Sequence, residues 1–361
     1  MDRPEHSEQI VDTPHLPKTV TEVVKLYDPR TWREKGLWWT TGLFAATYLV
    51  IVIVLGIYWS RSPGTFDVRE RAFAIADSEQ ATLATGSYTT AAAIGIAETL
   101  LGKPGGYLSN DIAPPGVYLD NIPNWEFGAL TELRDLARAL RNEFSRSQTQ
   151  SVEDKDLQIA DPQFSYDSES WILPSSESEY RRGVEALYRY FNRLNDDRSQ
   201  DGQFFARADN LRSYLAVAEK RLGSLAQRLS YAVGQAPLDT SLAGDPSAEQ
   251  ARPAQQEAHT KTPWMEIDDV FFEARGYTWA LLHTLQALTI DFERVLIDKN
   301  ALVSLKQIIR ELENTQNPIW SPLILNGTGF GPMGNHSLVM ASYISRANAA
   351  IIDLRNLLEK G

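Results

Sequence analysis

The chain has 361 residues, 43% hydrophobic and 23% charged, with a formal net charge of -12. Those are globular values with room for a sizeable core, and the acidic balance argues against a phosphate-binding surface for nucleic acid, which needs clustered Lys and Arg. With no cysteine, disulfide frameworks, thiolate metal sites, iron–sulfur clusters and Cys nucleophiles are excluded together.

Residues 1–26 contain several prolines and mixed charge and read as a short unstructured tail. In "YDPRTWREKGLWW", Asp28-Pro29 has the form of a helix start, with Asp as N-cap and Pro at the first helical position. A short interfacial helix carrying Trp32 against lipid, or an extension of the next helix, would follow. The strongest signal comes next: "LWWTTGLFAATYLVIVIVLGIYW", Leu37 to Trp59, has no charged residue. As a helix it would extend about 34 Å, enough to cross a hydrocarbon core of roughly 30 Å. Trp38 and Trp39 at one end, and Tyr58 and Trp59 at the other, suit the headgroup boundaries. The stretch is too long, and begins too late, for a removable signal peptide. Lys18, Lys25, Arg30, Arg33 and Lys35 before it outnumber Arg61, Arg69 and Arg71 just after it. That bias predicts a cytoplasmic N-terminus with the residues after the span on the outer face, which in a bacterium with a periplasm is the periplasm. Gly42 and Ala46 form a small-xxx-small pair, which suits helix pairing and homo-oligomerisation.

From residue 60 onward the expectation is an all-α ectodomain: a helical bundle with a long antiparallel hairpin. Tyr88 to Leu101 is an Ala-rich helix ended by Gly102. Leu130, Leu133, Ala137, Leu140 and Phe144 mark a helix. So do Tyr180, Val184, Leu187, Phe191 and Leu194, with Ser176 or Ser178 as cap. The clearest stripe is Phe204, Ala208, Leu211, Leu215, Ala218, Leu222, Leu225, Leu229 and Ala232, the seam of a coiled coil or long bundle helix. Arg207, Arg221 and Arg228 flank it and suit pairing with carboxylates. Ile267, Phe271, Ala274, Thr278, Leu281, Leu285, Leu288, Phe292 and Val295 repeat the spacing. Between these two helices, residues 235–263 are rich in Ala, Pro and Gln and read as a mobile loop at the hairpin's tip. Leu302, Leu305, Ile309 and Leu312 mark a further helix, and Met340, Ile344, Ala347, Ile351, Leu354 and Leu358 the last. "GVYL" and "SPLIL" are the strand signals, too few for a sheet.

No catalytic motif appears. The five histidines form no metal-binding spacing, and neither a nucleophile elbow nor a phosphate loop is present. No catalytic residue, metal or cofactor is assigned. His283, beside an apolar stripe, reads as a satisfied buried histidine. Asp268-Asp269 sits near a helix start, where negative charge is favourable. Two Gly- and Pro-rich stretches interrupt the helices. The first, residues 102–128, has five glycines and four prolines. Its apolar residues predict an ordered loop packed on the bundle, with Asn124 capping the following helix. Tyr107, Asn110, Asp111, Asp120, Asn121, Asn124, Trp125 and Glu126 offer rings, amides and carboxylates. Such a set suits recognition of a carbohydrate, peptide or partner, and its carboxylates suit general acid–base work. The same groups suit a structural role, as caps and core. The second stretch, residues 317–337, carries Trp320, Phe330 and His336 and would complete a docking surface if it lay at the same end.

"KPGGYLSNDIAPPGVYLDNIPNWEFG", followed by "LTELRDLARALRNEFSRSQTQSVEDKDL", resembles a proteobacterial family of unknown function. The resemblance covers most of the chain after residue 25. It implies a Gram-negative inner-membrane protein with an N-terminal anchor and one domain, and it carries over no catalytic residue. The expected function is an envelope scaffold or binding module for a protein or cell-wall partner; a wall-modifying enzyme is the alternative. A ligand-sensing receptor would need a separate signalling partner, because the cytosolic part is short.

Overall fold

The computed structural model describes residues 22, 25–77, 82–147, 152–196, 201–234, 261–321, 323–327 and 333–360. Among these there are 12 α-helices and no strand; the β signals yield a 3-10 turn at Gly116–Tyr118 and one isolated bridge, Asn326 to Asn335. The chain forms two compact units, Met1–Leu55 and Gly56–Gly361.

In the first unit, α1 (Pro29–Lys35) starts as its sequence dictates: the Asp28 carboxylate accepts from Arg30 N at 2.8 Å, and Pro29 fills the first turn. Gly36, at φ +84°, ends it, because a left-handed backbone suits glycine. A separate helix, α2 (Leu37–Trp59), follows. It is long and apolar enough to cross a membrane, and its most apolar window is wholly unburied. Trp32 turns its ring edge toward Phe44, with centroids 5.2 Å apart. Of the predicted tail, Glu22, Lys25 and Leu26 are described and helical, and the rest lies outside the described residues.

The second unit is a helical bundle. The chain arrives at one end, the entry end, through Gly56–Trp59. It is then held by α9 (Ile267–Asp291): Trp279 Nε1 donates to Gly64 O at 3.0 Å, and Phe66 N donates to His283 Nε2 at 3.0 Å. α3 (Val68–Ile75) continues away from the entry end. α4 (Ser87–Gly102) starts at the far end, where Asp291 accepts from Gly86 N at 2.8 Å and Thr89 N at 2.7 Å. α5 (Asn121–Ala139) runs outward again and ends in a π turn, Leu140–Phe144. α6 (Leu157–Phe164) packs on α7 (Ser176–Leu194), and α8 (Ala208–Ser230) returns to the entry end. After α9 and the short α10 (Glu293–Asp298), α11 (Leu302–Thr315) comes back and α12 (His336–Glu359) leaves again.

α9 is the central helix. Gly276 through Leu285 are buried on every side, the pattern of a helix surrounded by others. Its main partner is α5, and the contact is backbone to backbone: a Cβ on Gly128 would collide with Glu273 O, and one on Gly276 with Trp125 O. The predicted stripes are buried: Leu211, Leu215, Leu222 and Leu229 of α8, and Phe271, Leu281, Leu285 and Leu288 of α9, are core residues. The two long helices are antiparallel, with Arg228 near the end of α8 paired to Glu273 near the start of α9 at 2.5 Å. Each nevertheless packs chiefly elsewhere, α8 on α12 and α9 on α5. The α8 stripe therefore serves a bundle rather than a two-helix seam. Arg221 pairs with Asp135 at 2.8 Å, and Arg207 donates to Asn210 at 3.2 Å.

Three boundaries differ from expectation. α5 begins at Asn121, capped by Asp120, whose carboxylate accepts from Asn121 N at 2.8 Å; Asn124 is already inside its first turn. Pro123 tolerates this because first-turn N–H groups have no helical partner. α7 is capped by Ser175, not Ser176 or Ser178. Phe204 lies outside α8, and Phe205 N instead bonds Phe144 O at 2.6 Å. The Phe204 ring still reaches the core, 5.2 Å from Phe144 and 5.7 Å from Phe292. Of the predicted mobile loop, residues 235–260 lie outside the described residues.

Candidate binding cleft at the entry end

Both Gly- and Pro-rich stretches connect helices at the entry end. The first wraps the last turn of α2: a Cβ on Gly105 (φ +88°) would meet the Trp59 ring at 2.8 Å, and one on Gly56 would meet Pro115 at 3.7 Å. One carboxylate holds this loop. Glu126 and Lys103, 2.5 Å apart, are both buried. Glu126 also accepts from Leu108 N at 2.9 Å, Ser109 N at 2.8 Å and Ser109 Oγ at 2.5 Å. Burial pushes its pKa up, against the opposing pull of Lys103. Every acceptor direction of this carboxylate is occupied. A general acid–base needs a free one.

The neighbouring candidates are tied down in the same way. Tyr107 is buried and donates to Ser168 O at 3.1 Å, edge-on to Tyr180. Asn110 is buried and bridges Ser170 O (2.8 Å) and Glu177 (2.9 Å), stapling the loop to the α6–α7 connection. Trp125, fully buried, packs against Trp279 with centroids 5.0 Å apart and the rings tilted by 55°. The expectation that Tyr107 and Trp125 present flat faces to a ligand is corrected: both rings fill the core. Asp111 is half-buried, its pKa raised by burial and then by Glu177. Asn124 donates to Asp269 at 2.7 Å. Asp269 titrates at about 6, raised first by burial and then by Asp268, Asp120 and nearby glutamates.

The open space lies between the two stretches. A cleft of about 540 Å³ is bounded by Ser60–Gly64, by Asn121, by Asp268, Phe272 and Arg275 of α9, and by Gln316, Pro318, Ile319 and Ser321. Of the first stretch's candidates only Asn121 lines it. A second, more apolar pocket of about 320 Å³ includes Phe271, Ile319, Trp320, His336, Met340 and Tyr343. Arg275 belongs to both walls. Its guanidinium donates to the carbonyls of Thr315 (3.2 Å), Gln316 (2.9 Å) and Asn317 (3.0 Å), closing the C-terminus of α11. Burial lowers its pKa. His336 Nδ1 accepts from Leu325 N at 3.0 Å, and Trp320 is 93% exposed. Phe330 lies outside the described residues.

His283 is satisfied within the core. Its Nδ1–H donates to Trp279 O at 2.7 Å, which leaves Nε2 to accept from Phe66 N. Burial lowers its pKa to about 4, so it is neutral. Sequence reasoning missed Arg275 and the buried acids Glu132, Asp135 and Asp291. Glu132 is fully buried, receives the Tyr214 hydroxyl, and titrates at about 8, chiefly because of burial. A signal existed: Trp125, Ala129, Glu132 and Leu136 share one helical face, which places Glu132 in line with the core. Among the described residues no group of three or more His, Asp or Glu side chains has the arrangement of a metal site.

Among the described residues the fold is all-helical, with one helix long and apolar enough to span a membrane. Residues 32–361 match the family described as "Uncharacterized protein conserved in bacteria (DUF2333)", and the chain belongs to that family. No curated protein and no solved structure matches it.

Proposed function

We propose that this is a single-span inner-membrane protein of a Gram-negative bacterium, with its helical domain in the periplasm. In this reading the domain is a binding module for a protein or cell-wall partner. The observation that carries it is the entry-end cleft, where Arg275, Asn121, Gln316 and Ser321 surround an open volume beside an apolar pocket. Such a mixture of few polar groups and apolar walls suits recognition. The alternative, a wall-modifying enzyme using loop carboxylates, has less support. Glu126 is saturated, Asp120 caps a helix, and Asp111 lines neither the cleft nor the apolar pocket.

A photo-crosslinking residue at Ser321 in cells should yield a discrete adduct that the same residue at Val303, on α11 at the far end, does not. Equal yields, or none at either position across growth conditions, would sink the binding reading. Loss of in vivo function in Asp111→Asn or Asp120→Asn with an unchanged fold would revive the enzyme. A reporter fused at the C-terminus should be active only in the periplasm.

A further inference from the structure

We infer that the entry end of the helical domain is seated in the lipid headgroup layer, held there by a fringe of exposed aromatic and aliphatic side chains. This rests on the reading of Leu37–Trp59 as a membrane span. Of the tryptophans beyond Trp59, Trp125 and Trp279 are core residues. The other three, Trp171, Trp264 and Trp320, are 54%, 75% and 93% exposed, and all belong to entry-end segments. Tyr118 and Leu173, 74% and 91% exposed, join them. At the far end, among the described residues, the large exposed apolar side chains are aliphatic, Val152, Ile297, Val303 and Leu357 among them. An aromatic fringe confined to one end is the arrangement that the membrane–water boundary favours, since amphipathic rings partition there.

The fringe comes from separate segments that the fold brings to one place. Tyr118 is on the loop that packs against Trp59 through Gly105. Trp171 and Leu173 are on the connection stapled to that loop by Tyr107 and Asn110. Trp264 lies in the turn leading into α9, four residues before Asp268, and Trp320 sits between Ile319 and Ser321. Asp268, Ile319 and Ser321 share the cleft with Ser60–Gly64.

Connectivity selects lipid as the occupant. The chain leaves the span at Trp59, and Trp279 and His283 already grip Gly64 and Phe66. At about 3.3–3.6 Å per residue, so short a tether cannot lift the domain clear of the surface. Exposed Asp120, Asp167, Glu169 and Glu266 outnumber the exposed Arg61 and Lys261 of the same segments, so the seating is apolar in origin and anionic lipid does not strengthen it.

The absence of cysteine makes the test direct. Full-length protein carrying one of Tyr118→Cys, Leu173→Cys, Trp264→Cys, Val303→Cys or Tyr48→Cys is labelled with a fluorophore. Each variant is reconstituted in phosphatidylcholine vesicles containing headgroup or acyl-chain nitroxide lipids. Labels at 118, 173 and 264 should be quenched by headgroup nitroxide at least about twofold more than the label at 303, while the label at 48 responds to acyl-chain nitroxide. If 118, 173 and 264 match 303 while 48 is quenched, the seating is wrong and the span stands. That result, joined to protein adducts at the same positions in cells, would mark the fringe as a protein interface. If 48 is unquenched, the membrane reading fails and takes the inference with it. Stronger quenching on adding anionic lipid would overturn its apolar basis.

Discussion

The two Gly- and Pro-rich stretches have similar compositions and opposite architectures. The first is closed: Glu126, Lys103 and two backbone N–H groups lock it, and its rings Tyr107 and Trp125 are buried. The second is open. It borders both cavities, and Trp320 is exposed. The difference lies in what each stretch can bury. The first has a central helix with a glycine, Gly276, to nest against and a carboxylate to organise its turns. The second has Arg275 holding its first carbonyl and, near its end, hydrogen bonds that pair Leu325–Gly327 with Gly334–His336, with no buried charge among them. In the proposed reading, recognition chemistry therefore belongs to the stretch with fewer carboxylates.

The largest expected effect tests the lock. Glu126→Gln leaves Lys103 buried without its counter-charge and should cost about 3–5 kcal/mol, measured by denaturation in detergent. Lys103→Met with Glu126→Leu should not restore stability fully, because Leu108 and Ser109 N–H still lose their acceptor. A loss under about 1 kcal/mol in Glu126→Gln would place this carboxylate outside the structural role.

Next comes Glu132, a buried acid of the bundle rather than of a loop. Its folded pKa, about 8, lies above its unfolded value, so folding favours the protonated form. The sign follows: stability is fully present below about pH 4.5, falls as pH rises through the folded pKa, and has lost a few kcal/mol by pH 9. Thermal melts from pH 5 to 9 should show this decline, and Glu132→Gln should flatten it. A wild-type curve as flat as the mutant's would refute the assignment.

Gly105→Ala probes the contact with Trp59 and should destabilise by about 1–3 kcal/mol, from the left-handed backbone and the indole together. Gly102→Ala, with nothing near its added Cβ, is the control. The smallest effect belongs to the open stretch: Trp320→Ala should change stability by less than about 0.5 kcal/mol. If it unfolds the domain, the contrast between the stretches is lost.

How much of this was legible in the sequence depends on the range of each interaction. The α1 cap at Asp28, the apolar span and the helix stripes are set by spacings of a few residues, and each is present. Leu211 through Leu229, for example, had to face a core because no other arrangement removes that stripe from water. Trp125 was legible as apolar but not as buried, since its burial depends on Trp279 and on Gly276 admitting the α5 backbone. Glu126 read as a free carboxylate because Lys103 meets it only after the chain folds back.

By itself, then, the sequence determined the helices, the membrane-length apolar segment and the absence of thiol chemistry, all consequences of local composition and period. Only the tertiary structure decided that both Gly- and Pro-rich stretches meet beside Ser60–Gly64, that one is sealed, and that the exposed tryptophans share an end. Those outcomes depend on pairings across tens to hundreds of residues, such as Trp279 with Gly64 and His283 with Phe66, and no local pattern encodes which distant partner a side chain will find.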